Sequence, residues 1–197
     1  MAHFCVNCGT ELVPRMVDGR EVEGCPRDSF ILWHDPKVAT AVVVESGDGV
    51  VLGRRAIEPG YGLWCLPGGF VNADEDPAAA AVRECLEEIR AEVELTALLG
   101  VFHIAKTEAS SMVGIAYRGR LAAGSSPQAG DEMLEVGVFR VDGLPTLAFP
   151  SHRAVLDEYV RFLAQLAAGA PRRGAVMAPR GTPPSRPQGK PRSRRTR

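Results

Sequence analysis

Residues 69–88 constrain this chain more than any other segment, because they place three carboxylates on one predicted helix. Asp76 stands where an N-cap residue is favoured and Pro77 where a first helical residue is favoured, and four alanines follow. At about 100° per residue, the apolar and the acidic side chains separate onto roughly opposite faces. The apolar face holds Ala78, Val82, Cys85, Leu86 and Ile89, and the acidic face holds Glu84, Glu87 and Glu88. We therefore predict a helix from Pro77 to about Arg90 that packs on a sheet.

The three glutamates repel one another, and this repulsion needs an explanation. Like charges three or four residues apart destabilise a helix by about 0.2–0.5 kcal/mol per pair. Only Arg83, four residues before Glu87, is close enough in sequence to compensate. Hard divalent cations take several oxygen ligands, and substrate phosphates usually complete a magnesium shell. The helix alone is compatible with a metal site or with a solvated acidic face, which is the commoner case.

Strand-like segments surround this helix. Val38–Glu45 is a β-branched run, residues 46–49 favour a hairpin turn, and Val50–Arg54 is the expected partner strand. Further strands are predicted at Tyr61–Cys65, Phe70–Val71, Glu92–Ile104, Ser111–Leu121 and Glu135–Val141. A second helix is predicted from Ser151, as its N-cap, to about Ala167. These elements predict an α+β or α/β sandwich, which does not by itself name an activity.

The residues around the helix resemble the Nudix box, G-x5-E-x7-R-E-U-x-E-E-x-G-U, where U is a bulky aliphatic residue. Six fixed positions of the box agree with this sequence, namely Gly69, Glu75, Arg83, Glu84, Glu87 and Glu88. Cys85 stands at the first U position. The resemblance to the Nudix hydrolase family covers about residues 3–165. It implies a Nudix-type α/β/α sandwich with a mixed sheet.

The resemblance also implies roles for the matched residues. Glu84, Glu87 and Glu88 would bind Mg2+ or Mn2+, and one of them, or a water that they hold, would be or generate the nucleophile. Arg83 would orient the glutamates, with Glu75 as its partner. Gly68 and Gly69 would let the backbone approach the phosphates. A later acidic residue often assists in this family, and the candidates here are Glu132 and Glu135.

Two positions of the box depart from the pattern, since Arg90 replaces the last glycine and Ala91 the last aliphatic residue. That glycine would normally end the helix in a left-handed conformation, which costs a non-glycine residue about 1 kcal/mol or more. Arg90 is therefore expected either to adopt this strained conformation or to end the helix by another route. No metal ligand is lost, so activity is expected to survive.

Three cysteines near the N-terminus have zinc-ribbon spacing. Cys5 and Cys8 are followed by Cys25, and Asp28 stands where a fourth cysteine would be expected. Thiolates dominate structural zinc sites, although a carboxylate oxygen also binds zinc. A structural zinc site and a decayed ribbon that is held by packing are equally compatible with this pattern.

A ribbon joined to this box resembles a subset of the family that includes pyrophosphatases acting on NADH, FAD or ADP-ribose. The S-Q-P-W-P-F-P-x-S sequence that follows the box in NADH pyrophosphatases is absent, so the ADP-ribose or FAD type is nearer. Trp64 is a candidate for stacking on a nucleobase, although an aromatic residue beside a strand is more often core.

Charge and composition divide the chain into three parts. Nine of the 23 Lys/Arg and none of the 24 Asp/Glu lie in residues 171–197, which leaves residues 1–170 with 14 basic and 24 acidic residues, a net charge of −10. We predict a ribbon-like segment at 1–35, a hydrolase domain at 36–168 and a disordered basic tail at 169–197. The acidic body argues against nucleic acid as a partner, except weakly through the tail.

The resulting functional hypothesis is Mg2+-dependent hydrolysis of a nucleoside diphosphate linked to another moiety, which releases a nucleoside monophosphate. The alternative is a regulatory protein of the same fold that binds a nucleotide without cutting it. No signal peptide and no run of 18 apolar residues are present, so a cytoplasmic protein without a membrane partner is expected. The resemblance is compatible with a homodimer, since related enzymes are often dimers, but the sequence itself does not give the oligomeric state.

Overall fold

A computed structural model describes residues 2–107 and 110–169 of the chain. Its elements are β1 (Val13–Val17), β2 (Arg20–Gly24), β3 (Ile31–Leu32), β4 (Lys37–Ser46), β5 (Gly49–Arg55), β6 (Trp64–Cys65), α1 (Pro77–Ile89), β7 (Val93–Thr107), β8 (Ser110–Leu121), β9 (Met133–Phe139) and α2 (Pro150–Ala167). No helix in the described ranges is long and apolar enough to cross a membrane. The predicted tail lies outside these ranges from residue 170 onwards.

The main sheet is mixed and has six strands. Its order is β6-β5-β4-β8-β7, and β9 pairs with β5. β4 and β8 are parallel, in a register that pairs Lys37 with Met112 and Glu45 with Arg120, whereas the other pairs are antiparallel. The three N-terminal strands form a separate small antiparallel sheet. This arrangement confirms the predicted α+β fold with a small appendage.

Each face of the main sheet packs against one helix, because the alternating side chains of the buried strand β4 point to opposite faces. Ala41 and Val43 belong to the core cluster that contains Val155 and Leu156 of α2. Val42 and Val44 belong to the cluster that contains the apolar face of α1. The sheet is therefore enclosed between the two helices, as in an α/β/α sandwich.

Several predicted elements need correction. Of Tyr61–Cys65 only Trp64–Cys65 forms a strand, and Phe70 forms only an isolated bridge with Ala39. Segment 67–71 instead follows β4 irregularly, because the N–H groups of Thr40 and Val42 donate to the carbonyls of Gly69 and Pro67.

The start of α2 also differs from the prediction. Phe149 is the N-cap and makes no side-chain capping bond, while Pro150 begins the helix. Pro150 fits this position because its missing N–H would have no intrahelical acceptor. Ser151 is therefore a residue of the first turn, and its predicted N-cap role was wrong.

Helix α1 begins as the sequence predicts but buries a different set of residues. Asp76 caps it by accepting hydrogen bonds from Ala78 N at 2.8 Å and Ala79 N at 3.4 Å. Its buried residues are Ala80, Ala81, Cys85, Glu88 and Ile89. Leu86 is 53 % exposed, so its predicted place on the packing face was wrong. The helix is rotated so that Glu88 points inward and Leu86 outward.

Candidate functional site

Arg83 lies at the centre of the carboxylate cluster on α1. Its guanidinium donates to both carboxylate oxygens of Glu75, at 2.8 and 2.9 Å. Its Nη1 also donates to Glu84 at 2.8 Å and to Glu87 at 2.9 Å. The bond with Arg83 lowers the pKa of Glu75. Arg83 therefore offsets the repulsion between carboxylates, and its own pKa is raised chiefly by Glu75.

Two glycines lie against the glutamates because the backbone approaches α1 closely there. A Cβ atom on Gly68 would lie 2.1 Å from the carbonyl oxygen of Thr40, and its φ of +151° is unfavourable for other residues. The Gly68 N–H donates to Glu88 Oε2 at 2.8 Å. A Cβ atom on Gly69 would lie 2.5 Å from the Glu84 carboxylate. Loop 67–69 and the acidic face are thus fitted to each other.

Glu88 is the most unusual carboxylate of the cluster. It is only 5 % exposed, and no basic side chain forms a salt bridge with it in the described ranges. Burial, and next the charge of Glu84, raise its pKa to about 8, although the Gly68 N–H partly opposes this. Burial also raises the pKa of Glu84. A buried carboxylate with neighbouring negative charge is the environment that a bound cation would stabilise.

A loop between β8 and β9 docks on the C-terminus of α1 and carries a further acid. Gly130 N and Gln128 N donate to the carbonyls of Glu88 and Ile89 at 2.9 and 2.8 Å, which satisfies two groups left open at the helix end. Glu132 follows in this loop, and its charge raises the pKa of both Glu84 and Glu88. The loop therefore places a fourth carboxylate beside the cluster.

Arg90 ends α1 in the left-handed conformation, with φ 46° and ψ 33°. It therefore adopts the strained geometry that the box normally assigns to glycine. Its side chain donates to Asp131 at 2.9 Å, in a pair whose side chains are 56 % and 95 % exposed. The arginine thus contacts the loop that carries Glu132.

The cluster opens into a cavity of about 1230 Å³. Gly68, Gly69 and the glutamates of α1 line one side together with Glu132. Glu135 is not among the lining residues and lies 3.6 Å from Arg54 instead. Of the two later acids, the structure brings Glu132 to the site and places Glu135 outside it.

Arg55 of β5 and the first turn of α2 also line the cavity, and the charge of Arg55 lowers the pKa of Glu88. The Arg55 guanidinium lies 5.0 Å from the centre of the Phe149 ring, and its Nε donates to Pro59 O at 2.8 Å. His152 Nδ1 accepts the N–H of Leu66 at 3.0 Å. Burial, and next the charge of Arg55, lower the pKa of His152 to about 4. His152 is therefore neutral near pH 7, with its proton on Nε2.

Trp64 does not lie at the cavity wall. Its ring is 4.6 Å from that of Phe139 in an edge-on contact, and it packs against the core on the α2 side. The structure thus places it in the core, and its predicted contact with a nucleobase has no support from this position.

The N-terminal cysteines converge. One ligand atom from each of Cys5, Cys8, Cys25 and Asp28 lies within 4.8 Å of the others, and in the described ranges this is the one such group. Cys8 Sγ and Cys25 Sγ are 3.6 Å apart, and Cys5 Sγ is 3.3 Å from Asp28 Oδ2. His3 and His34, two histidines of the same N-terminal part, lie near Glu23 and not at this group.

Sequence reasoning missed two polar residues of the cavity. Arg55 follows Arg54 in the same strand, so their side chains point to opposite faces of the sheet. Which of the two faces the cavity can be decided only when the buried face of the strand is known. His152 has no partner close in sequence, because Leu66 lies 86 positions away. No local pattern signals either contact.

Comparisons with known proteins agree with this geometry. A model of the NUDIX domain matches residues 35–159, which include the whole glutamate cluster. The chain belongs to the NUDIX family. It is an enzyme of the Nudix hydrolase type, a pyrophosphatase. An ADP-ribose pyrophosphatase of Methanocaldococcus jannaschii is 31% identical over 133 residues, which cover 68% of this chain and 78% of that protein.

Two further relatives extend the Nudix likeness. The NAD-capped RNA hydrolase NudC of Pseudomonas aeruginosa is 29% identical over 77% of this chain and 52% of its own length, so this chain spans about half of it. The crystal structure of a NUDIX hydrolase from Nitrosomonas europaea has a TM-score of 0.70 and 32% identity, and the match covers 85% of this chain and 94% of that one.

Proposed function

We propose that this Nudix enzyme hydrolyses the diphosphate of a nucleoside diphosphate linked to another moiety, of the ADP-ribose type, and releases a nucleoside monophosphate. The observation that carries the proposal is Glu88, a buried carboxylate with a pKa raised to about 8 beside Glu84 and Glu132 in an open cavity. The similarity to an ADP-ribose pyrophosphatase supports the substrate type. That FAD is a substrate stays a prediction from the sequence alone.

The acidic cluster fits a hard divalent cation. Its donors are carboxylate oxygens, which Mg2+ and Mn2+ prefer. Glu88 lacks an ion-pair partner in the described part of the chain, so a cation would remove the main cost of its burial. We propose that Glu84, Glu87 and Glu88 hold Mg2+ or Mn2+. The ion would neutralise charge on the diphosphate and lower the pKa of a bound water.

The protein's own groups supply the rest of the mechanism. Arg83 holds Glu84 and Glu87 in place, and Glu75 holds Arg83. Gly68 and Gly69 let the backbone of segment 67–69 lie directly against β4 and the Glu84 carboxylate. One carboxylate accepts a proton from the attacking water, and Glu132 is better placed for this role than Glu135. A new P–O bond forms at one phosphorus, and the bond to the bridging oxygen breaks.

The test is to incubate the enzyme with Mg2+ and a panel of diphosphates, and to separate the products by chromatography. The panel contains ADP-ribose, FAD, NADH, a dinucleoside polyphosphate and oxidised deoxynucleoside triphosphates. AMP from ADP-ribose that requires Mg2+ and is lost in a Glu87→Gln, Glu88→Gln variant supports the proposal. Nucleotide binding without cleavage of any compound would replace it with the regulatory alternative.

A comparison of two variants tests the role of Glu132, the acidic residue in the loop between β8 and β9. Glu132→Gln is expected to lower kcat by at least tenfold, because removal of an acid–base group typically costs 10²–10⁴-fold. Glu135→Gln is the matched control, since it changes the same kind of side chain three residues away and outside the cavity. Equal effects of the two variants would contradict the assignment of Glu132.

We also propose that the N-terminal cluster holds a structural zinc ion through Cys5, Cys8, Cys25 and Asp28. Tetrahedral zinc with Zn–S bonds of about 2.3 Å places two sulfurs about 3.8 Å apart, close to the 3.6 Å between Cys8 and Cys25. All five cysteines are free, so no disulfide competes for these thiols. The four residues lie in the turns next to the small N-terminal sheet and do not line the cavity, so the site is assigned a structural role.

A further inference from the structure

The backbone of the loop between β8 and β9 is attached to the C-terminal end of α1. Gly130 N donates to Glu88 O at 2.9 Å, and Gln128 N donates to Ile89 O at 2.8 Å. The last carbonyls of a helix have no partner within the helix, so these two bonds satisfy groups that would otherwise need water. One of the two carbonyls belongs to Glu88 itself. The loop is therefore tied to the residue that carries the buried carboxylate of the cluster.

Gly130 makes this contact possible because it has no side chain. It is buried, and a Cβ atom at this position would overlap the carbonyl oxygen of Glu87 and lie 3.0 Å from that of Glu88. Both carbonyls belong to the helix backbone, which cannot turn aside as the end of a flexible side chain can. Any other residue at this position would therefore push the loop away from α1.

The other end of the loop is attached to β5. Ala56 N, just beyond the end of that strand, donates to Glu132 O at 2.8 Å. Met133 is 5 % exposed and packs against Gly53, where an added Cβ atom would lie 2.6 Å from Met133 Sδ. Met133 N also donates to Gly130 O at 3.1 Å, which closes a turn over residues 130–133. Both ends of this turn are thus fixed to the body of the domain.

Glu132 lies inside this turn, two residues after the buried glycine. Two residues of backbone span at most about 7 Å, so the contact at Gly130 limits where the backbone of Glu132 can lie. Glu132 lines the cavity together with Glu84 and Glu88. A shift of about 1 Å in a reacting group can lower a rate by about 10²-fold. The position of the loop on α1 therefore decides how well Glu132 meets the reacting atoms.

We propose that Gly130 is a positioning residue for hydrolysis, because its close contact with the end of α1 fixes Glu132 relative to the glutamates of that helix. The inference rests on the proposed function and on Glu132 as the carboxylate that accepts the proton. Gly130 acts through Glu132 and is not itself a catalytic residue. The turn holds the acid in its working position before the substrate binds.

The first test is Gly130→Ala in the full chain, assayed with Mg2+ and the cleaved diphosphate. The variant is expected to lower kcat at least tenfold, while KM and the apparent Mg2+ affinity change less than threefold, because the glutamates of α1 are left in place. Gly143→Ala is the matched control, since the nearest atom to its added Cβ is 4.0 Å away. A general loss of structure would instead change KM and the Mg2+ affinity together with kcat.

A double-mutant cycle tests whether Gly130 acts through Glu132. In a Glu132→Gln background, Gly130→Ala is expected to lower kcat less than threefold further, because the group that it positions is already lost. If the two losses multiply, Gly130 acts independently of Glu132 and the proposal is overturned.

Two insertions cover the case in which Gly130→Ala does not fold. One glycine inserted between Gly130 and Asp131 leaves both contacts with α1 in place but lengthens the turn that holds Glu132, so kcat should fall at least tenfold. One glycine inserted between Ser126 and Pro127, before both contacts and beside the exposed Ser126, should change kcat less than threefold. Equal effects of the two insertions would overturn the proposal.

Failure of this inference differs from failure of the proposed function. Hydrolysis of a diphosphate that is insensitive to Gly130→Ala overturns the positioning role alone. Absence of hydrolysis of every diphosphate by the unmodified enzyme overturns the proposed function and the positioning role together.

Discussion

Gly69 lies so close to Glu84 that a Cβ atom on the glycine would be 2.5 Å from the carboxyl carbon of the glutamate. Real Cβ atoms do not approach other atoms this closely, so one of the two must move. The flexible end of Glu84 is the part that gives way most easily. A substitution at Gly69 should therefore change the chemistry of the site more than the stability of the fold.

Gly69→Ala is accordingly expected to lower kcat/KM for the cleaved diphosphate at least tenfold and to shift the unfolding free energy by less than about 1 kcal/mol. Steady-state kinetics and urea unfolding measure the two quantities. Gly143→Ala is the control, because the nearest atom to its added Cβ is 4.0 Å away. An activity loss in both variants would contradict this explanation.

Arg90 carries backbone strain that a glycine would not. Its φ of 46° costs a non-glycine residue about 1 kcal/mol, whereas its pair with Asp131 is exposed and contributes little. Arg90→Gly is expected to raise the unfolding free energy, measured by urea unfolding, by up to about 1 kcal/mol. The same change in an Asp131→Asn background isolates the backbone effect from the lost pair. A lower stability in that background would show that the left-handed end is not strained.

The sequence predicted those parts of the molecule whose causes are local. Asp76 and Pro77 define the start of α1 by capping, and a hairpin turn joins β4 to β5 as expected. The rotation of α1 was not predictable, because Leu86 and Glu88 were assigned to faces by periodicity alone. The true burial depends on how the helix docks against β4 and on loop 67–69, which the periodicity of a single helix does not contain.

The contacts of the candidate site were also predictable only where they are local in sequence. Glu75, Arg83 and Glu84 stand at fixed spacings on one segment, so the box predicted that they meet. Arg55 and His152 reach the cavity from elements about 100 residues apart, and their place follows only from the packing of α2 on the sheet. Sequence patterns predict contacts within an element far better than those between elements.

His152 should make the fold sensitive to acid. Its pKa in the folded state is lowered to about 4 from an ordinary value of 6.5, so the unfolded chain binds the proton first as the pH falls. The contribution of His152 to stability is then lost from about pH 6.5 downward, by up to about 1.4 kcal/mol per pH unit, until the folded state is protonated as well. The raised pKa of Glu88 has the opposite effect on stability in this range, so the effect of His152 is measured as a difference between two variants.

His152→Asn keeps an acceptor for the Leu66 N–H and removes the titration. Relative to the unmodified protein, the unfolding free energy of this variant should therefore increase as the pH falls from 6.5 to 5, as measured by urea unfolding. His103→Asn, at an exposed histidine, is the control and should keep the pH dependence of the unmodified protein. Parallel curves for the unmodified protein and His152→Asn would contradict the assignment.

The N-terminal cluster should bind one zinc ion per chain, measured by metal analysis of protein dialysed with zinc. Asp28→Asn keeps the acceptor for Phe30 N–H at 2.8 Å but removes the ligand charge, so zinc affinity should fall at least tenfold. Asp28→Cys should raise the affinity, because thiolates dominate such sites. Asp35→Asn is the control for a lost carboxylate nearby. Zinc-free protein with unchanged stability would support a ribbon held by packing alone.

Magnesium binding should release a proton from Glu88. Burial raises the pKa of this carboxyl to about 8, so it is protonated at pH 7 in the metal-free enzyme, whereas a metal ligand must be deprotonated. Apparent Mg2+ affinity should therefore rise by up to about tenfold per pH unit from pH 6 and level off above about pH 8. Calorimetry in two buffers with different heats of ionisation should find close to one proton released per ion at pH 7. Glu88→Gln should bind Mg2+ more weakly and release none, and an affinity of the unmodified enzyme that is constant between pH 6 and 8 would show that Glu88 is not the titrating ligand.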